Sequence, residues 1–250
     1  MVAVARRSRI PGKIDPAALG AFDPSIIAWA ASFYAGDPLW SNPGEGGAVS
    51  SWRNGGALGG NATQATGANQ PVWSSTSIGG RPGVTFDGTN DTLSISLSGL
   101  NTTPLSVVAV LKLLTASGTQ APVGLSGTTE RYAPAVISGV WYGRLRGVSG
   151  GVAASGGTTD TNPHLFSTVG KATGTTLKLA KDGTDLASSS SASAVPDLAS
   201  PQTLYLGSDN GAYSNCVLAF VGVFVGDVEA DPNWSTFKLW AAMHYGFTVA

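Results

Sequence analysis

Charge is scarce in this chain: Lys, Arg, Asp and Glu make up 12% of its 250 residues, about half the share of an average soluble domain. Cysteine is scarcer still. The single Cys216 cannot close an internal disulfide, and its place at the head of an apolar strand reads as core. Two histidines, His164 and His244, with one cysteine do not make a four-ligand zinc site unless carboxylates join them. Glu45, Glu130 and Glu229 are the only glutamates. Cleaving a sugar bond needs paired carboxylates at short range. The one run with suitable alternation, Asp227-Val228-Glu229-Ala230-Asp231, falls between a strand and a helix cap and reads as a solvated loop. The expectation is therefore a non-enzymatic chain. Long apolar runs are also missing. Val217 to Val225 is too short to cross a bilayer, and Met1 to Lys13 lacks the apolar stretch of a secretory leader. The expectation is synthesis in a cytoplasm, without membrane insertion and without a signal peptide.

What the chain has in quantity is glycine, 34 residues, together with abundant serine and threonine, so its polar surface is made of small uncharged groups. A hydrophobic content of 42%, with 8% aromatics, is ample for a core. The net charge of −1 conceals an asymmetry. Arg6, Arg7, Arg9 and Lys13 precede any acidic residue, which leaves ten cations against fifteen carboxylates in the remainder. Pro11, Gly12, Pro16 and Gly20 argue against regular structure in the same region. The chain thus divides into an extended basic arm, residues 1–21, and an acidic body, residues 22–250. The sign of the body disfavours nucleic acid as a partner.

Turn chemistry punctuates the body at short intervals. Ile78 to Leu93 reads as turn, short strand, turn and new strand, with Val84 and Phe86 on one face and Asp87-Gly88 reversing the chain. Pro104 to Leu114 is almost continuously apolar, as in a strand covered on both faces. Val136 to Ser138 and Trp141 to Arg146 form hairpin arms around Gly139. His164 to Val169 and Thr175 to Ala180 form another pair, and Asp182-Gly183 supplies a two-residue reversal. About a dozen such strands imply a sandwich, whose core is expected to hold Trp52, Phe86 and Leu93 together with Val108, Val110 and Phe220. One helix closes the chain: Asp231 can cap it, Pro232 suits its first position, Trp234, Phe237 and Ala241 share a face, and Gly246 can end it.

The order of parts between positions 49 and 94 is specific. It runs Val49-Ser50-Ser51-Trp52-Arg53-Asn54-Gly55-Gly56, then Ala62-Thr63-Gln64, Gln70-Pro71-Val72, and Gly80-Arg81-Pro82-Gly83-Val84-Thr85-Phe86-Asp87-Gly88 with Leu93. This resembles the laminin-G-like, concanavalin A-like jelly rolls. The resemblance implies an all-β, two-sheet antiparallel jelly-roll sandwich, with the arm extended and one short C-terminal helix. Where that family places acidic residues near the tryptophan matching Trp29 and two positions after the one matching Trp52, this chain has Ala30 and Ala31 and then Asn54, departures that weaken any calcium site the resemblance would carry over. Domains of this kind serve as lectins, glycan-active enzymes and virion proteins. The resemblance implies a non-enzymatic attachment protein of a bacteriophage virion, in the tail or on the capsid. In that reading the arm cations Arg6, Arg7, Arg9 and Lys13 dock on other virion proteins, in multiple symmetric copies, and the body presents a surface to a host glycan or protein. A glycan hydrolase or lyase and a free bacterial lectin are the alternatives.

Two loops carry candidate binding residues. Tyr132, Trp141, Tyr142 and Arg144 place aromatic rings and a guanidinium beside one hairpin, and Asp209, Asn210 and Tyr213 occupy another turn. Rings with a polar handle suit sugars and proteins alike. Asp209 and Asn210 with backbone carbonyls also offer the oxygens that calcium takes, and no other cofactor is expected. Gly147-Val148-Ser149-Gly150-Gly151 matches a nucleophile-elbow pattern, which has meaning only between a strand and a helix.

Overall fold

A computed structural model describes residues 24–100, 105–126, 130–147, 150–170, 176–190, 202–209 and 212–250. The arm, with Arg6, Arg7, Arg9 and Lys13, lies outside the described residues, as does Asn210. In chain order the strands are β1 (Ala31–Tyr34), β2 (Ser51–Arg53), β3 (Asn61–Thr63), β4 (Val72–Ile78), β5 (Arg81–Asp87), β6 (Leu93–Leu97), β7 (Leu105–Leu113) and β8 (Val123–Ser126). They continue with β9 (Glu130–Ile137), β10 (Val140–Gly147), β11 (Gly150–Thr158), β12 (Pro163–Gly170), β13 (Thr176–Lys181), β14 (Thr184–Ser190), β15 (Gln202–Leu206) and β16 (Asn215–Val225). One helix, α1 (Trp234–Tyr245), follows. Among the described residues no helix is long and apolar enough to cross a membrane.

The strands form two antiparallel sheets. One runs β14-β13-β12-β7-β16-β5-β4, with β1 continuing beside β16; the other runs β11-β10-β9-β8-β15-β6-β3-β2. The jelly-roll expectation holds. Between the sheets lies the main core, which includes Phe33, Trp52, Phe86, Leu93, Ala109, Leu111, Trp141, Phe166, Leu204 and Leu218. Phe86 and Gly207 show how closely the sheets meet, because a Cβ on Gly207 would stand 1.9 Å from the Phe86 ring. Gly207 also has a φ of 81°, which disfavours any other residue. Along one side the sheets nearly join, since a Cβ on Gly156 of β11 would lie 2.7 Å from the Leu186 carbonyl oxygen of β14.

The first sheet is covered on its outer face as well. Ile27, Trp29, Trp234, Phe237, Trp240 and Tyr245 pack there against Val108, Val110, Val217 and Phe220. This corrects the expectation that Val108, Val110 and Phe220 share a core with Phe86. All are buried, but in a second layer under α1. The reason for Phe220 is a β-bulge: against β7, Leu218 pairs with Leu111 and Phe220 with the next residue, Val110. Ala219 is the extra residue, so Cys216 and Leu218 face inward before it, and Val221 and Val223 after it. The helix starts later than expected. Asn233 is its N-cap and Asp231 braces the turn before it, accepting from the Asn233 N–H at 2.8 Å. Gly246 ends it in the left-handed conformation, as expected.

Three turns deserve comparison with expectation. Asp182-Gly183 joins Lys181 to Thr184, and Ser138-Gly139 joins Ile137 to Val140; both are two-residue hairpins with positive φ at both positions. Asp87-Gly88 is not a hairpin: it carries the chain from β5 in the first sheet to β6 in the second. The Asp87 carboxylate organises the corner by accepting the N–H groups of Thr89 and Asn90. The Gly-Val-Ser-Gly-Gly pattern spans Gly147 of β10 and its partner Gly150 of β11, so it belongs to a β-hairpin and not to a strand-to-helix elbow.

Candidate functional site

The second sheet reads inward-outward along its strands, and its inward positions are the apolar ones. In β15, Leu204 and Leu206 are buried while Thr203 and Tyr205 are half-buried; in β6, Leu93, Ile95 and Leu97 are buried and Ser94 and Ser96 face out. Register then sets several of these positions in one row. Tyr205 pairs with Ser94 on one side and with Gly124 on the other. Gly124 pairs with Tyr132, and Tyr132 with Arg144. One row thus runs across five strands.

The Gly207–Ser214 turn folds over this row. A Cβ on Gly124 would lie 2.7 Å from the Asp209 Cβ, so Asp209 stands directly over the space that Gly124 leaves. Tyr213 closes the turn through its bridge to Ser208, and the Ser208 and Thr92 hydroxyls meet at 2.7 Å. Asp209 and Arg144, read from the sequence as parts of separate patches, therefore lie on the same sheet, over Gly124 of β8 and on β10, with β9 between them. Tyr142, Arg144 and Tyr213 are half-buried. Trp141 is the exception and is corrected here. It is fully buried and packs on Phe166 with ring centroids 4.1 Å apart, because strand alternation that turns Tyr142 and Arg144 outward turns Trp141 in. Tyr205 was missed, although the Leu204-Tyr205-Leu206 alternation signals it.

Other polar groups serve the scaffold. Asn54, where the family has a carboxylate, uses its Oδ1 to accept from Ser32 and Gly56 N–H groups and its Nδ2 to donate to the Gly59 carbonyl. Glu229 accepts from Lys178 Nζ at 2.6 Å and from Ser167 Oγ at 3.0 Å. Buried Cys216 has its thiol pushed up by loss of solvent. His244 stacks on Trp240, and burial with the nearby Arg81 charge pushes it down to about 4. His164 sits between two carboxylates, Nδ1 2.6 Å from Asp182 and Nε2 2.9 Å from Asp160. Burial works against its charge, but those two contacts outweigh burial and raise its pKa. Among the described residues no group of three or more His, Cys, Asp or Glu side chains converges as metal ligands.

No protein-family model matches this sequence, and no curated protein sequence matches it either. Solved structures do share its fold. A sialidase of Trypanosoma rangeli, in complex with sialic acid, superposes over 87% of this chain and 33% of its own at 15% identity, with a TM-score of 0.56. The ligand-binding domain of botulinum neurotoxin serotype D, in complex with N-acetylneuraminic acid, covers 85% of this chain and 50% of that one at 10% identity, TM-score 0.59. The binding domain of the same serotype matches at 12% identity and a TM-score of 0.58, over 86% of this chain and 51% of that one. This chain spans a third to a half of these proteins, and at such identities the likeness is one of fold. The comparison corrects one expectation. A sialidase shares this sandwich, so the expectation of a non-enzymatic chain, drawn from the fold's attachment roles and from few clustered carboxylates, does not stand.

Proposed function

We propose that this chain is a glycan-binding sandwich module whose surface is the outer face of the second sheet around Tyr142, Arg144, Tyr205 and Asp209. The observation that carries this is the register that sets Arg144 on β10 and Asp209, over Gly124 of β8, on the same sheet with β9 between them. A tyrosine ring offers a sugar an apolar face and a phenol that can hydrogen-bond. Arg144 brings a planar guanidinium, which suits a carboxylate, and Asp209 brings an acceptor for hydroxyls. Two structures of this fold were solved with sialic acid, which supports a sialylated glycan as the ligand class to test first.

Calorimetric titration with sialyllactose and with lactose tests this reading. Sialyllactose should bind more tightly, and Tyr205→Ala and Arg144→Ala should each weaken binding by about 1–3 kcal/mol. Binding by the double variant equal to that of the unchanged protein would remove this face as the site. Free sialic acid measured in the same samples reads out any turnover.

The setting proposed for the module is a virion, as a bacteriophage minor tail or capsid-surface protein made in the host cytoplasm and present in symmetric copies. Its support is the sparsely charged Ser, Thr and Gly-rich composition and the four arm cations. Four cations in its first thirteen residues, with Pro11, Gly12 and Pro16 close by, make an extended segment that has no core of its own and orders against a partner.

A further inference from the structure

His164 ties together parts of the chain that lie far apart in sequence. It opens β12, and its Nδ1 meets the carboxylate of Asp182 in the β13–β14 turn, which is also held by the Leu165 N–H at 2.9 Å. Its Nε2 meets both oxygens of Asp160, at 2.9 and 3.0 Å. Asp160 belongs to the 159–162 loop, where its carboxylate also accepts the Asn162 N–H at 2.7 Å. The neighbouring Thr159 braces the β9–β10 turn. Its N–H donates to the Gly139 carbonyl at 3.1 Å, and its hydroxyl reaches the Ala116 carbonyl at 2.7 Å. Gly139 leads into Val140, Trp141 and Tyr142, the start of the proposed face.

An imidazolium has two N–H donors and satisfies both carboxylates at once. A neutral ring has one. Asp182 is the better anchored acceptor, so the remaining proton stays on Nδ1 and the Nε2 lone pair then faces the Asp160 carboxylate. The other charges nearby are Lys181, 3.6 Å from Asp160, and Lys238, whose Nζ donates to the carbonyl of Ala250 while the Ala250 N–H donates to the backbone carbonyl of Asp182. Lys112 stands opposite Pro163 in the register. None of these replaces the lost donor: Lys181 stands 3.6 Å from Asp160, beyond hydrogen-bond reach, and Lys238 is engaged with the Ala250 carbonyl.

We infer that His164 is a proton-dependent clasp for the open face: protonated, it pins the 159–162 loop that braces the Ser138-Gly139 turn, and on losing its proton it loosens that turn and weakens binding beside it. The coupling to binding rests on the glycan reading above; the clasp itself does not. Backbone hydrogen exchange of the Thr159 and Asn162 amides, corrected for intrinsic rates, tests the clasp while the His164 ring is titrated by NMR. Protection should fall on the order of tenfold for each unit by which the carboxylates raise the histidine, in the window where the ring loses its proton. His164→Gln should show low protection without that pH dependence, and Asp160→Asn, at a partly exposed position, should do the same without disturbing β12. Protection that ignores the His164 titration, or that follows the same course in both variants, overturns the clasp. Sialyllactose affinity should fall in the same window. No binding at any pH would defeat the glycan reading while exchange still decides the clasp, whereas constant affinity across the window would overturn the coupling.

Discussion

The two histidines respond to pH in opposite senses, and the direction follows from what surrounds each ring. His164 is held charged by Asp160 and Asp182, so its folded pKa is raised. Its stabilisation is complete below the ordinary value near 6.5 and is lost as pH rises through the folded value. His244 is held neutral, with a folded pKa of about 4 against 6.5, so stability is lost as pH falls between those values. The thermal midpoint should therefore peak near 6.5, declining as pH rises from there to the folded pKa of His164 and as it falls from there to about 4. His164→Gln should remove the alkaline decline, and His244→Gln the decline between 6.5 and 4; unfolding scans at a series of pH values read both. Part of this was legible: the pairing of His164–Val169 with Thr175–Ala180 sets His164 beside the strand end that Asp182 follows, whereas nothing marked Asp160 as the second carboxylate. Tyr205 was legible, because the flanking Leu204 and Leu206 fix which way it faces. Trp141 was legible too, but the polar handle of its indole drew the reading outward. The structure instead buries that ring with no hydrogen-bond partner for Nε1 among the described residues, a cost that its contact with Phe166 and its neighbours must exceed.

At the scale of elements, α1 and the bulged β16 belong together. The bulge at Ala219 turns Phe220 outward, and Phe220 then meets Phe237 of the helix at 5.1 Å and Trp29 at 5.2 Å between ring centroids. Phe237→Ala should cost about 3–5 kcal/mol in chemical unfolding, because the ring is fully buried and its neighbours are too large to collapse into the space. A cost under about 1 kcal/mol would mean that the helix is only loosely seated. Helix and strands were legible from Gly246, the β7 run and the turn dipeptides. The bulge was not, since one inserted residue in an all-apolar run leaves no break in the pattern, and both faces of β16 are buried anyway. That is why Phe220 was assigned to the wrong layer. The placing of Asp209 and Arg144 on the same sheet was equally hidden, because it depends on register between strands distant in sequence.

For the whole molecule, the sandwich and the arm separate in their demands. The described residues form two apolar layers. Deleting Met1–Lys13 should leave thermal unfolding nearly unchanged and abolish incorporation into the proposed particle, and incorporation of the full chain should weaken as salt rises. Normal occupancy by the truncated chain in purified particles would assign docking to the body. The order of strands has a further consequence during synthesis. β1, made early, has its register partner in β16: Tyr34 pairs with Phe220, nearly two hundred positions later. At about 5–20 residues per second, a ribosome needs roughly ten to forty seconds to supply that partner. Throughout that interval Trp29 lacks Phe220, Phe224 and Phe237, the rings it meets in the finished protein, so the emerging chain exposes aromatic surface that the finished protein hides. Its yield in a cell is then governed by how well that waiting segment is shielded, and slowing translation ahead of Asn215 should lower the soluble fraction without altering the stability of the molecules that complete folding.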